Sequence, residues 1–215
     1  MAGLALFDLD NTLGDRVGAF RRWCEHFVAD HHLDTSAVTT LVAMDHDGYT
    51  SREDFFRSVR RDFRLGATTE ALLAGYRSRY PSYYRGHPDA LAALGRLRGA
   101  GWKLAILTNG PATQEDKLRI TGLGKAVDAV CISGMLGVAK PDRAIFEEAA
   151  RRCGVALTGW MVGDDPDADI GGGRGAGLRT IWIARGRRWP KRTYRPDATA
   201  RTVDEAARII MRPVV

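Results

Sequence analysis

Asp8 and Asp10 stand two residues apart at the end of the apolar run Leu4-Ala5-Leu6-Phe7, in the stretch Leu6-Phe7-Asp8-Leu9-Asp10-Asn11-Thr12-Leu13. Such a run reads as a buried parallel strand, and two carboxylates at its carboxyl end repel one another and lose hydration. They persist where a cation or a difference in protonation resolves the conflict, and a divalent metal does both.

Three later stretches supply what such a site needs. Lys103-Leu104-Ala105-Ile106-Leu107 reads as a second strand ending in Thr108-Asn109-Gly110, whose hydroxyl, amide and glycine-permitted backbone can donate to phosphate oxygens where the next helix begins. In Gly137-Val138-Ala139-Lys140-Pro141-Asp142 the proline suits the first turn of a helix through Ile145-Phe146, which sets the Lys140 ammonium beside a positive helix end with an anion as its partner. Gly159-Trp160-Met161-Val162-Gly163 leads into Asp164-Asp165-Pro166-Asp167-Ala168-Asp169, a second cluster of acids that completes an oxygen-rich site suited to Mg2+.

In this order the four stretches resemble the signature motifs of the haloacid dehalogenase superfamily. They are DxDxT at Asp8, Asp10 and Thr12, the hydroxyl residue Thr108, the pair Lys140-Pro141, and GDxxxxD at Gly163, Asp164 and Asp169. Each is a weak signal alone; together, each behind a hydrophobic strand and spread over most of the chain, they are specific. Gln114, Lys117, Leu118, Gly122 and Leu123, with Ile145-Phe146, are similar to the branch holding pyrimidine nucleotidases and N-acylneuraminate-9-phosphatases.

The resemblance implies roles. Asp8 would attack phosphorus to form an aspartyl-phosphate, and Asp10 would protonate the leaving alcohol and later deprotonate water. Dehalogenases of the superfamily lack the second acid, so Asp10 favours phosphatase chemistry. Mg2+ would be held by the Asp8 carboxylate, the Asp10 backbone carbonyl and the Asp164 carboxylate, with Asp169 in the outer shell orienting water or Lys140. Thr108, the Asn109 amide and Lys140 would clamp the transferring oxygens. Asp165 and Asp167 read as turn residues. Thr12 can bind substrate or only hold its own loop, and Asn11, Gln114 and Lys117 are likewise open between the site and an ordinary structural place. Arg16, Arg21 and Arg22 could meet a substrate carboxylate or second phosphate, with the solvated face of an amphipathic helix the favoured reading. His26, His31, His32, His46 and His87 show no ligand spacing and are assigned no catalysis.

Strand and helix patterns alternate from about residue 86 onward, with further strands expected at 127–132, 160–163 and 179–183. The resemblance implies an α/β fold with a Rossmann-like parallel sheet in the order 5-4-1-2-3, flanked by helices, with ligands at its carboxyl edge. Residues 15–85 show helical periodicity at Val17, Phe20, Trp23 and Phe27 and at Phe55, Phe56, Val59 and Phe63, and Ser51 with Asp54 reads as a capping box. This segment is expected to be an inserted helical cap that selects substrate, dividing the chain into a core of 1–14 and 86–215 and a cap of 15–85.

With 215 residues and 45% hydrophobic content, the chain can bury one α/β core plus a small insertion. The start from Ala2 to Phe7 is too short for a signal segment and no membrane span is seen. Cys24, Cys131 and Cys153, odd in number and without metal spacing, read as reduced packing residues of a cytoplasmic protein. The net charge of +6 sits C-terminally: residues 15–86 hold eleven arginines against ten acids, whereas Arg185, Arg187, Arg188, Lys191, Arg192 and Arg195 run without an acid beside Trp189 and Tyr194. That run reads as a solvated loop adding positive potential, with nucleic-acid contact the lesser alternative. The resulting expectation is a phosphatase of a small phosphorylated metabolite, monomer or homodimer. A dehalogenase or phosphoglucomutase-like enzyme is the rival within the superfamily, and a receiver-like or nucleic-acid-binding protein the rival outside it.

Overall fold

The computed structural model describes residues 3–212, so Ala2 of the apolar start lies outside it. Each apolar run that precedes a chemical motif forms a strand: β1 (Leu4–Phe7), β2 (Lys103–Thr108), β3 (Ala129–Ile132), β4 (Gly159–Gly163) and β5 (Arg179–Ile183). All pair in parallel, and β1 lies between β2 and β4. Every residue of β1 is buried, as a central strand covered on both faces requires.

The sheet carries one strand more than expected. Ala198–Ala200 forms β6, parallel to β5, and the order becomes β3-β2-β1-β4-β5-β6. Three residues are too few to show an alternation in sequence, and only pairing with the exposed edge of β5 makes them a strand.

Helices α1 (Arg16–Asp30), α2 (Ala37–Asp45), α3 (Arg52–Asp62) and α4 (Thr69–Tyr83) form a unit of their own, Arg16–Arg85. Residues up to Asp15 and from Gly86 onward form the other unit. In the helical unit Trp23 meets Phe20, Phe27, Phe55, Phe56 and Tyr76 at ring separations between 4.9 and 6.3 Å. Ser51 caps α3 by accepting from the Asp54 amide at 3.1 Å, as its sequence signature predicts. Arg16 is buried and donates to both oxygens of buried Asp45 at 2.9 and 2.8 Å, Arg22 donates to the Tyr83 carbonyl, and exposed Arg21 pairs with Glu25. Arg16 and Arg22 thus have structural partners inside their own unit.

The sheet unit adds α5 (Ala90–Gly99), α6 (Gln114–Thr121), α7 (Ser133–Leu136), α8 (Arg143–Cys153), α9 (Gly172–Gly175) and α10 (Val203–Ile210). The apolar face of α8, with Ile145, Phe146 and Ala149, packs in one cluster with Leu4, Leu6, Leu107 and Met161 of the strands. Its start differs from expectation: Asp142 caps the Ala144 amide at 2.9 Å and the helix begins at Arg143, leaving Pro141 before it. Among the described residues no helix is long and apolar enough to cross a membrane. Cys24, Cys131 and Cys153 are free and buried, and burial pushes the Cys24 thiol up to about 12.

Candidate active site

Because β1 pairs with both β2 and β4, their carboxyl ends deliver Asp8, Thr108 and Asp164 to neighbouring positions. The Asp8 amide donates to the Val162 carbonyl at 2.9 Å, extending the β1–β4 ladder into the first motif. Lys140, brought in by the loop before α8, lies buried between two acids. Its Nζ donates to Asp8 Oδ1 at 2.7 Å, to Asp169 Oδ1 at 2.7 Å and to the Leu107 carbonyl at 2.8 Å.

Asp10 is held from the other side by α6. Lys117 Nζ donates to both Asp10 oxygens at 2.9 and 2.7 Å, and Gln114 Nε2 reaches Asp10 Oδ2 at 3.0 Å and the Thr108 hydroxyl at 2.6 Å. Gln114 and Lys117 lie three apart on α6 and so share a face. Both are buried against Asp10 or Thr108 of the motifs rather than exposed on the helix. The Thr12 hydroxyl is buried without a hydrogen-bond partner.

Asn109 and Asp169 have partners that the sequence does not show. The side-chain amide of Asn109 meets the Lys140 backbone: Nδ2 donates to the Lys140 carbonyl at 2.8 Å and Oδ1 accepts from its amide at 2.9 Å. Asn109 therefore pins the lysine loop. Among the described residues, the side-chain carboxylates able to share a metal are Asp8, Asp164 and Asp169, all within 4.8 Å of one another, so Asp169 stands beside the two acids expected to hold the ion. The Asp10 carboxylate is engaged by α6, while the donor expected of this residue toward a metal is its backbone carbonyl.

Burial governs the electrostatics. It pushes the Asp8 carboxyl up to about 7 against the pull of Lys140, with the Asp169 charge adding to the rise. Burial likewise raises Asp164 and Asp169 to about 6 each, assisted by the Asp8 charge on the former. The Lys140 ammonium is held above its ordinary range by the two acids it touches, despite burial. Three buried carboxylates that resist ionising together are a hard-oxygen donor set, and they fit a divalent cation.

The basic segment after β5 is not merely solvated. Arg185 Nη1 and Arg187 Nη2 donate to Asp164 Oδ2 at 2.9 and 3.0 Å, and Lys191 pairs with Asp167 at 2.7 Å. Trp189 and Tyr194 fold the segment back onto Trp182 and Ile170. A run of like charges gave no hint of this, because the acids it meets lie some twenty residues earlier. Asp165 accepts from the Asp167 and Ala168 amides at 2.8 Å, the turn role expected of it.

A family model described as haloacid dehalogenase-like hydrolase matches residues 3–177. The chain belongs to that family. Within it, phosphoserine phosphatase of Thermus thermophilus is 43% identical over 123 residues, covering 56% of this chain and 48% of that protein. Ribulose-1,5-bisphosphate 5-phosphatase of Halopiger xanaduensis is 33% identical over 201 residues, 84% of each chain. The branch suggested by the motifs is also represented, by a pyrimidine 5'-nucleotidase and an N-acylneuraminate-9-phosphatase. The chain spans about half the length of the first curated relatives it matches, from 48% to 61%. In fold, the hydrolase YfnB of Bacillus subtilis, solved with magnesium, superposes with a TM-score of 0.82 at 22% identity, covering 98% of this chain and 99% of that one.

Proposed function

We propose that this family member is a Mg2+-dependent phosphomonoester hydrolase acting through an aspartyl-phosphate on a small phosphorylated metabolite. The observation that carries the reading is the second acid: Asp10, two residues from buried Asp8, is fixed by Lys117 and Gln114. A halide leaves without a proton, whereas an alkoxide needs one, so a positioned acid beside the nucleophile suits phosphate esters. The phosphatase names of the relatives support the same reading.

Asp8 attacks phosphorus, its new P–O bond forming as the ester P–O bond breaks, and Asp10 gives its proton to the leaving oxygen. Asp10 then takes a proton from the water that attacks the aspartyl-phosphate, releasing phosphate and restoring Asp8. Lys140 holds Asp8 in place through its ammonium and, with the Thr108 hydroxyl and the Asn109 backbone N–H, faces the oxygens that gain charge. When bound, Mg2+ would be held by Asp8, Asp164 and the Asp10 carbonyl, with Asp169 behind them, and would cancel repulsion between the nucleophile and the phosphate dianion. The helical unit, Arg16–Arg85, serves as the cap that selects substrate. The buried free thiols support a cytoplasmic location.

Asp8→Asn tests the proposal. Loss of the covalent route is expected to cost on the order of 5 kcal/mol or more in barrier, read as hydrolysis of p-nitrophenyl phosphate with Mg2+. A variant keeping more than about a tenth of the wild-type rate would exclude Asp8 as nucleophile.

A further inference from the structure

The buried acids Asp8, Asp164 and Asp169 are matched by three cations, Lys140, Arg185 and Arg187, at hydrogen-bonding distances of 2.7 to 3.0 Å. Asp10 is matched by Lys117, and the Asp165 carboxylate is turned to the amides of its own turn. Each of the three buried acids thus has at least one cation of the chain within hydrogen-bonding distance. A dication added alone would compete with both guanidinium groups for Asp164 and be repelled by them in a low-dielectric site. A phosphate dianion arriving with the dication offsets the added charge, and its oxygens offer the arginines a new acceptor.

Both arginines are placed for this task by the fold. Arg185 follows β5 with φ +52°, and Arg187 is anchored by bonds to the Asp164 carbonyl at 2.7 Å and the Ala184 carbonyl at 3.2 Å. The Arg187 guanidinium lies 5.6 Å from the Trp182 ring centre, and Trp182 Nε1 donates to the same Asp164 carbonyl at 3.0 Å. One loop thus couples the two cations to the acid and to a buried indole.

We propose that Arg185 and Arg187 are internal counter-cations of Asp164 that make Mg2+ and phosphate bind cooperatively, weakly apart and tightly together. The proposal rests on the phosphatase reading and deepens it. Coupling of this kind is reciprocal, so phosphate must tighten Mg2+ by the same factor that Mg2+ tightens phosphate.

The test is Mg2+ titration of the full chain by calorimetry and by tryptophan fluorescence, with and without saturating inorganic phosphate. Wild type is expected to bind Mg2+ about tenfold tighter or more when phosphate is present. Arg185→Gln and Arg187→Gln are expected to bind Mg2+ alone more tightly than wild type and to lose most of the coupling, whereas Arg187→Lys keeps it. Glutamine variants that bind Mg2+ alone more weakly would make the arginines mere orienters of Asp164, and this result overturns the proposal. So does a wild type without coupling, a measurement that needs no variant. If that same wild type hydrolyses p-nitrophenyl phosphate with Mg2+, the phosphatase reading stands and only the arginine assignment fails. If it neither binds Mg2+ nor hydrolyses the ester, both fall.

Discussion

At the residue scale, the contact of greatest consequence outside the motifs is Lys117 on Asp10, two bonds at 2.9 and 2.7 Å that fix the direction of the side chain proposed to pass a proton to the leaving oxygen. Lys117→Met removes that anchor while keeping the length of the side chain. Positioned proton transfer contributes about 10²- to 10⁴-fold, and a misdirected Asp10 should lose much of that with an alkyl phosphate, whose leaving oxygen needs a proton. With p-nitrophenyl phosphate the leaving group is stable as an anion, so the loss should be smaller. Comparison of kcat for the two esters decides it, and equal losses would argue against Asp10 as the acid.

At the element scale, the turn after β4 depends on a glycine for space. A Cβ at Gly163 would overlap the Asp169 carboxylate, which accepts from Lys140 and from the Asp165 amide. Gly163→Ala must therefore push Asp169 off Lys140, and overpacking of this kind costs about 1–3 kcal/mol. Denaturant unfolding should show that loss together with a fall in activity. Gly175→Ala on α9, where an added Cβ meets nothing within 4 Å, should be nearly neutral in both measurements. The helical unit has its own critical position in Trp23, 4% exposed and ringed by five aromatic side chains. Trp23→Ala is expected to cost about 3–5 kcal/mol, and hydrogen exchange should show the loosening within residues 16–85.

At the scale of the whole molecule, the two units differ in what holds their centres. The helical unit closes on aromatic rings, whereas the sheet unit closes on apolar strands that end in buried charge. The second arrangement is strained by its own carboxylates and gains from a bound cation. Saturating Mg2+ at about 100 times Kd adds about 2.7 kcal/mol, or a rise in Tm of about 2–4 °C per kcal/mol for a chain of this size. Thermal unfolding in MgCl2 and in EDTA measures it; identical melting temperatures would show that the acids hold no divalent cation.

The sequence by itself determined the strands, because Leu4–Phe7, Lys103–Thr108 and Gly159–Gly163 are too apolar to lie anywhere but in a covered sheet. It also singled out the acids and the lysine of the candidate site, since charge at the end of a buried strand demands a chemical reason. The tertiary structure decided the partners. Lys117 meets Asp10 across 107 positions, Lys140 meets Asp8 across 132, and Arg185 and Arg187 return over 21 and 23 to Asp164. Local spacing carries no information about which distant ion lies opposite, so Gln114 and Lys117 of α6 stayed open between the site and an ordinary helix, and the segment after β5 read as a solvated loop adding positive potential. Strand β6 was hidden for the same reason: three residues become a strand only when β5 offers its edge.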